Sequence, residues 1–143
     1  MRTFGIKIEN QIYEVEKELS LVLFNRRGCI AVLRNSEDGD CILPSYPIDS
    51  SDLDSQVGKC QEQFIRDYKI KISDLEYIEK AVTFFNEPES LKLKSYFYMS
   101  EVSDEDIKES DLMWLSPSEA MIQLNYEAHI WSIRQAIENS IDL

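Results

Sequence analysis

Long apolar runs and linker-like segments are missing from this sequence of 143 residues. No stretch approaches the roughly 18 consecutive apolar residues that a transmembrane helix requires, which excludes a membrane span. The opening residues, MRTFGIKIEN, carry charge where a signal peptide needs its apolar stretch, so we expect a cytoplasmic protein. Internal repeats, low-complexity tracts and Pro/Gly-rich linkers are also absent, and we therefore expect one domain over residues 1–143.

Cysteine is scarce and is not arranged for cross-linking or metal binding. The three cysteines, Cys29, Cys41 and Cys60, are odd in number and show no C-x-x-C spacing. This pattern argues against a disulfide framework and against a zinc site. We expect small buried side chains in a reducing compartment.

Positive charge is also in short supply. The sequence has 15 basic and 27 acidic residues, which gives a formal net charge of −12. Binding to a nucleic-acid polymer depends on the release of counterions by Lys and Arg, so the composition argues against such a partner. A small phosphorylated ligand stays possible because a divalent metal can supply positive charge locally. The acidity is equally explained by solubility alone.

The first half of the chain is rich in strand signals. The segment ELSLVLFNRRGCIAVLR predicts two strands around the turn NRRG. The segment CILPSYPI is predicted to be extended, because the residues before Pro44 and Pro47 are biased away from helix.

A helix is predicted for residues 54–68. Its apolar stripe consists of Val57, Cys60, Phe64 and Tyr68, and the preceding SSDLD offers side chains for the N-cap.

Three strands and two helices are predicted for the rest of the chain. YIEKAVTFFN reads as a strand, and LKLKSYFYMSEV alternates with a period of two, which predicts a strand with one buried face. A short strand in DLMWL is followed by a helix opened by Ser116 and Pro117, and a last helix runs from about Tyr126 to Asn139. The order of elements predicts an α+β fold with a mixed sheet between helices.

Several of these segments together resemble the Nudix (MutT-like) hydrolase family. The segments are GCIAVLR, CILPSYPID, YIEKAVTFFN, LKSYFYMSEV and, most specifically, KESDLMWLSPSEAMIQLNYEAHIWSIRQAI. The likeness covers roughly residues 12–138 and implies an α/β/α sandwich with a mixed central sheet. It also implies a pyrophosphohydrolase that acts on acid anhydrides.

The Nudix box, which carries the chemistry of the family, departs from the family pattern in this sequence. The family has paired glycines, a first glutamate, and a helix that reads Arg-Glu-apolar-x-Glu-Glu-x-Gly-apolar. Ser45 and Tyr46 fall at the paired glycines, and Asp52 or Asp54 falls at the first glutamate, depending on where a small insertion lies. Aligning Phe64 and Ile70 with the apolar positions places these residues at the arginine, the three helix glutamates and the closing glycine: Glu62, Gln63, Arg66, Asp67 and Lys69.

The resemblance implies that the helix carboxylates of the family bind Mg²⁺ or Mn²⁺, which polarise phosphoryl oxygens and activate water. In this chain Gln63, Arg66 and Asp67 share the corresponding helix face, so one carboxylate is left and a guanidinium takes the place of another. We therefore expect no metal cofactor. If the protein is active, Mg²⁺ or Mn²⁺ would need a rearranged set such as Asp52, Asp67 and Glu109, although DSSDLD is also explained as a helix N-cap with an acidic first turn.

Four residues are candidates for contacts with a ligand. Arg26 lies in the predicted hairpin turn and could hold a phosphate, Tyr46 lies in the altered box turn, and Tyr96 and Tyr98 lie on the predicted polar face of their strand. His129, the sole histidine, would need an orienting partner to act as a general base, and a surface or packing role is the alternative.

Three hypotheses for function follow. The leading one is a Nudix-like domain, catalytically weak or inactive, that binds a nucleotide-like or other phosphorylated small ligand. The second is an active Mg²⁺-dependent hydrolase of nucleoside diphosphate derivatives that uses rearranged carboxylates such as Asp52, Glu62 and Asp67. The third is a protein-interaction module whose former cleft is filled by Tyr46 and its neighbours. The sequence leaves the oligomeric state open.

Overall fold

The computed structural model describes residues 1–35, 38–49, 52–102 and 112–141 of the chain. The described residues form eight strands and three helices. In chain order the strands are β1 (Arg2–Phe4), β2 (Glu14–Phe24), β3 (Ile30–Arg34), β4 (Cys41–Ile42), β5 (Ser45–Pro47), β6 (Glu76–Phe85), β7 (Leu91–Glu101) and β8 (Leu112–Leu115). The helices are α1 (Leu53–Tyr68), α2 (Pro117–Gln123) and α3 (Glu127–Ile141).

The strands form one mixed sheet in the order β1-β6-β7-β2-β3-β4, with β5 paired to β2 and β8 paired to β3. The pairs β1–β6 and β2–β7 are parallel, and the other pairs are antiparallel. The long β2–β7 pair lies at the centre of the sheet. It therefore fixes which side chains of these two strands share a face.

Each face of the sheet has its own hydrophobic core. On one face, Leu19 and Leu21 of β2 pack with Cys60 and Phe64 of α1, and this is called the α1 face below. On the other face, Val22 of β2 and Phe97 of β7 pack with residues of α2 and α3, and this is called the α3 face. The helices therefore cover both sides of the sheet, which confirms the predicted α+β sandwich with a mixed central sheet.

The predicted hairpin, the helix opening at Ser116 and Pro117, and the last helix are all present. The structure adds one element that the sequence did not predict. This is β1, which pairs in parallel with the edge of β6. Among the described residues, no helix combines the length and apolar character needed to span a bilayer.

Candidate functional site

The helix predicted to carry the box is α1, and both of its ends have defined caps. Asp52 is the N-cap residue, and its side chain accepts a hydrogen bond from the backbone N–H of Asp54. At the other end Lys69 has φ 57° and ψ 27°, and its N–H donates to the carbonyl of Ile65. This left-handed conformation normally favours glycine, and the resemblance places the closing glycine of the box at Lys69.

The three residues at the positions of the box glutamates contact each other. The side-chain amide of Gln63 donates to Asp67 Oδ1 over 2.8 Å. Arg66 Nη1 donates to Gln63 Oε1 over 3.3 Å. Gln63 is partly exposed, and Arg66 and Asp67 are exposed. The helix face therefore carries a chain of hydrogen bonds that includes one carboxylate and one guanidinium.

The acidic residues predicted for a rearranged metal site are not brought together. Asp52 and Asp67 lie at opposite ends of α1, about 22 Å apart along the helix axis, which is too far for both to bind one ion. Glu62 is exposed on the same helix, while Glu109 lies outside the described residues. Across residues 1–35, 38–49, 52–102 and 112–141, no group of three or more His, Cys, Asp or Glu side chains is placed to hold a metal ion.

Three of the predicted ligand-contacting residues lie together on the α1 face. Tyr46 of β5 and Tyr96 of β7 flank Leu19 in the strand register, and Tyr98 lies two residues further along β7. Burial raises the pKa of Tyr46, and nearby Tyr68 and Asp67 raise it further. Tyr46 therefore packs into the space between the turn and α1.

The predicted polar face of β7 requires a correction. Tyr98 is only 6% exposed and packs edge-on against Tyr77, with the ring centroids 5.3 Å apart. The alternating pattern of β7 predicts a strand with one buried face. At Tyr98 both faces of the strand are covered, because α1 packs on the side that carries the tyrosines, while Lys92 and Lys94 on that side stay partly exposed.

Arg26, the fourth predicted ligand contact, lies in the turn after β2 and is exposed. The cavity on the α3 face is lined by the other half of β2, from Glu14 to Glu18. Even Glu18 lies about 20 Å along the strand from Phe24, where β2 stops. The structure therefore separates Arg26 from this cavity.

A cavity of about 600 Å³ lies on the α3 face. Its walls come from the first half of β2, from β6 and β7 where they meet at the 86–90 connection, and from the start of α3. Apolar contacts come from Leu91, Leu93, Phe85 and Tyr126. A cavity of this volume, lined by both apolar and polar side chains, is typical of sites that bind a small organic molecule.

The cavity is strongly acidic. Its described lining contains no lysine or arginine, and it includes seven carboxylates: Glu14, Glu16, Glu18, Asp38, Asp40, Glu87 and Glu89. Burial raises the pKa of Tyr126 in this wall, and the nearby carboxylates of Asp40, Asp38 and Glu18 raise it further.

A network of hydroxyl groups and one carboxylate forms the floor of the cavity. Ser95 Oγ donates to Glu18 Oε1 over 3.1 Å, and Ser20 Oγ lies 3.4 Å from the same oxygen. Ser20 and Ser45 share a hydrogen bond of 2.7 Å between their hydroxyl oxygens. Ser45, placed by the resemblance at a glycine of the box, thus reaches the cavity while its neighbour Tyr46 reaches the opposite face.

His129 completes this floor and is 3% exposed. Its Nδ1 accepts a hydrogen bond from the backbone N–H of Leu43 over 3.3 Å, so the ring proton lies on Nε2. Nε2 faces Glu18 Oε1 at 3.5 Å. The orienting partner that the sequence did not identify is therefore Glu18. His129 is therefore buried and does not lie on the surface. Because both of its ring nitrogens have partners, it is not free to activate Ser45.

Comparison with known proteins identifies the fold. A C. elegans Ap4A hydrolase, in a binary complex, superposes with a TM-score of 0.68 over 90% of this chain and 99% of its own, at 14% identity. The Nudix domain of Shewanella oneidensis NrtR, solved with ADP-ribose, gives a TM-score of 0.67 over 93% of each chain at 16% identity. A MutT/Nudix family protein from Listeria innocua gives 0.65 at 13% identity, covering 92% and 97%.

The chain has the Nudix fold. No protein-family model matches the sequence, and no curated protein matches it by sequence comparison. At these identities the structural likeness establishes the fold, as the sequence resemblance predicted, and leaves the activity to be argued from the side chains.

The acidic wall and floor of the cavity are the part of the Nudix fold that sequence reasoning missed. A signal was available, because Glu14, Glu16 and Glu18 alternate with Val15 and Lys17 and must therefore share one face of the strand. The alternation does not reveal the position of α3, which brings His129 next to Glu18.

Proposed function

We propose that this protein is a cytoplasmic Nudix-fold domain that binds a nucleotide-like small ligand and has lost the ordinary metal-dependent hydrolysis associated with the fold. The observation that carries the proposal is the hydrogen-bond chain on α1. Asp67, the one carboxylate at the three glutamate positions, is bonded to Gln63, and Gln63 is bonded to Arg66.

These residues do not fit a divalent ion. Mg²⁺ requires oxygen ligands in near-octahedral geometry and is usually held by one or two carboxylates. An ion at this face would have to displace Gln63 from Asp67 and would lie beside the guanidinium of Arg66. At about 4 Å and an effective dielectric constant near 20, each pair of unit charges repels by about 4 kcal/mol. We therefore assign no metal to this helix.

The cavity on the α3 face supports the choice of ligand. One protein of similar fold is an Ap4A hydrolase and another was solved with ADP-ribose, and both of these molecules are nucleotide-like. In this chain seven carboxylates line the cavity, which suits a group rich in N–H donors, such as a nucleobase, and disfavours a bare phosphate. We propose that the base end of the ligand enters the cavity.

Tyr46 gives specific support to a second candidate, a protein-interaction module. Its side chain packs against the core beneath α1, beside Tyr68 and Cys60, where the resemblance places a glycine turn that approaches phosphates. A scaffold whose former cleft is filled in this way could act through its outer surface alone.

One experiment tests the proposal. Wild type and the variant Gln63→Glu/Arg66→Glu are titrated with Mg²⁺ and Mn²⁺ and assayed on a panel of nucleoside diphosphate derivatives. The matched control is Gln123→Glu/Lys71→Glu, which makes the same charge change at exposed positions that are not part of α1. We expect no metal-dependent turnover by wild type, and metal binding, measured by calorimetry, only in the α1 variant.

The ligand is tested in parallel by thermal stabilisation with adenosine and AMP, since a bound ligand raises the free energy of unfolding. Leu93→Trp should remove this stabilisation by filling the cavity, while Ile122→Trp, on the exposed surface of α2, should retain it. Clear metal-dependent turnover by wild type would refute the loss of hydrolysis. Absence of stabilisation by every nucleoside and nucleotide of the panel would favour the interaction module.

A further inference from the structure

Four lysines lie together on the α1 face of the sheet. Lys17 of β2 and Lys94 of β7 are direct register partners in the parallel pair. Lys92 precedes Lys94 by two residues on the same strand, so it points to the same side. Lys80 of β6 lies opposite Tyr96, which places it diagonally across from Lys94. These four residues are called the lysine face.

The spacing of the lysine face follows from the register. Neighbouring strands lie about 4.8 Å apart, and positions i and i+2 of one strand lie about 6.6 Å apart. Diagonal positions on paired strands are separated by about 7–8 Å. Lys94 is therefore surrounded by three other lysines at distances of about 5–8 Å between backbone positions.

The lysine face is partly buried, and among the described residues no ion pair with a carboxylate involves it. All four lysines are intermediate in exposure, and Val82, which lies opposite Lys94 in the register, is 4% exposed. Lys80 and Lys92 lie over the rings of Tyr96 and Phe84, at 5.3 and 5.9 Å from the ring centroids. Over the described parts of the chain, none of the four forms an ion pair.

This arrangement carries a cost in the free protein, because like charges directly opposite each other on a sheet are destabilising. A cluster of four lysines also contrasts with the overall composition of the chain, which has 15 basic and 27 acidic residues. The acidic residues of β2, Glu14, Glu16 and Glu18, point to the opposite face and cannot compensate the lysines through the sheet. A ligand with several negative charges would remove the repulsion.

We propose that the lysine face is a binding site for a molecule that carries two or more linked phosphate groups. The ammonium group of lysine binds phosphate as a compact point charge, without the bidentate geometry that arginine offers to carboxylate and phosphate alike. On the described strands no arginine stands among these four lysines. Several charges spread over about 5–8 Å favour linked phosphates over a single one.

This site goes beyond the proposed function and lies on the other side of the sheet from the cavity. A nucleotide bound in the cavity cannot reach the lysine face through the packed sheet. The two sites can therefore be tested separately, and either can fail without the other.

The probe is inorganic tripolyphosphate, titrated into the full chain at low ionic strength and followed by calorimetry. We expect saturable binding that weakens as salt is added. The variant Lys17→Gln/Lys94→Gln should weaken it about tenfold or more, since it removes two hydrogen bonds to charged groups. Orthophosphate and a polyglutamate peptide should bind at least tenfold more weakly than tripolyphosphate.

The matched control is Lys59→Gln/Lys71→Gln, which changes net charge equally at exposed positions. Lys59 lies one helical turn before Gln63, so a phosphate held at the box helix would be lost in this control. Leu93→Trp should leave tripolyphosphate binding unchanged.

The proposal is overturned if the control loses as much affinity as the test variant, or if polyglutamate binds as tightly as tripolyphosphate. It is also overturned if wild type shows no saturable binding. Amide chemical shifts of wild type provide a check that does not depend on a variant, because the largest changes should fall at Lys17, Lys92 and Lys94 and not on α1 or α3.

Discussion

The two faces of the sheet differ in charge although the same strands build them. Among the charged residues of β2, Glu14, Glu16 and Glu18 point towards the α3 face, while Lys17 points towards the α1 face. On the α3 face the carboxylates surround a cavity. On the α1 face the lysines lie beside aromatic rings.

This difference shows how little the net charge of a protein says about its binding surfaces. A value of −12 argues against a phosphate-rich partner when it is treated as a uniform property. Because side chains of a strand alternate between faces, a strand that mixes Glu and Lys separates the two signs across the thickness of the sheet. Each face then has its own preference for ligands.

The largest expected effect concerns alkaline pH, because buried ionisable groups are concentrated on the α1 face. Burial raises the pKa of Tyr98 to about 12 and that of Cys60 to about 11, and it also raises the pKa of Tyr46. In the unfolded chain these groups lose their protons at about pH 10 for Tyr and about pH 8.5 for Cys. The unfolded state therefore releases protons first, and stability that is present at pH 8 is lost as the pH rises towards 11 and 12.

We expect the free energy of unfolding to fall by about 3–5 kcal/mol between pH 8 and pH 11, measured by guanidinium denaturation. Tyr98→Phe should flatten this dependence. Tyr126→Phe, which removes the tyrosine of the α3 cavity, should flatten it less. If Tyr126→Phe had the larger effect, the alkaline-sensitive groups would lie on the α3 face and the comparison would fail.

The sequence predicted the sheet and the helices well because their signals are local. The stripe from Val57 to Tyr68 and the cap at Asp52 each involve residues within a few turns of one another, and the structure places them as expected. The clustering of lysines from different strands was out of reach, since it depends on the parallel register that sets Lys17 beside Lys94. The role of His129 depends on a contact with Glu18 across 111 positions of the chain.

The tyrosines of β7 show a different limit. The alternation of LKLKSYFYMSEV correctly predicts two distinct faces but not what covers each of them. A tyrosine suits either a polar surface or a core, because its ring is apolar and its hydroxyl is polar. Only the packing of α1 decides that Tyr98 belongs to the core.

A second prediction compares one buried polar side chain from each face. His129→Leu should lower the free energy of unfolding by about 1–3 kcal/mol, because it leaves the N–H of Leu43 without its acceptor in a residue that is 0% exposed. Gln56→Leu on α1 should cost less, since the partner of Gln56 is Asp49, which is exposed and can be hydrated instead. Urea denaturation of both variants measures the difference. Equal costs would contradict the view that the polar floor of the cavity is the more tightly built of the two.

The smallest expected effect concerns the end of α1, where Lys69 has a backbone conformation that normally favours glycine. Lys69 has φ 57°, a left-handed conformation that costs a side chain with Cβ roughly 1 kcal/mol. Lys69→Gly relieves this strain, although glycine also gains entropy in the unfolded chain, so we expect a net stabilisation of roughly 0.5 kcal/mol. Lys71→Gly, two residues later and without a positive φ, should destabilise instead. Thermal or urea unfolding measures the change. If Lys69→Gly destabilised the protein, packing of the lysine side chain would stabilise the fold by more than its backbone strain costs.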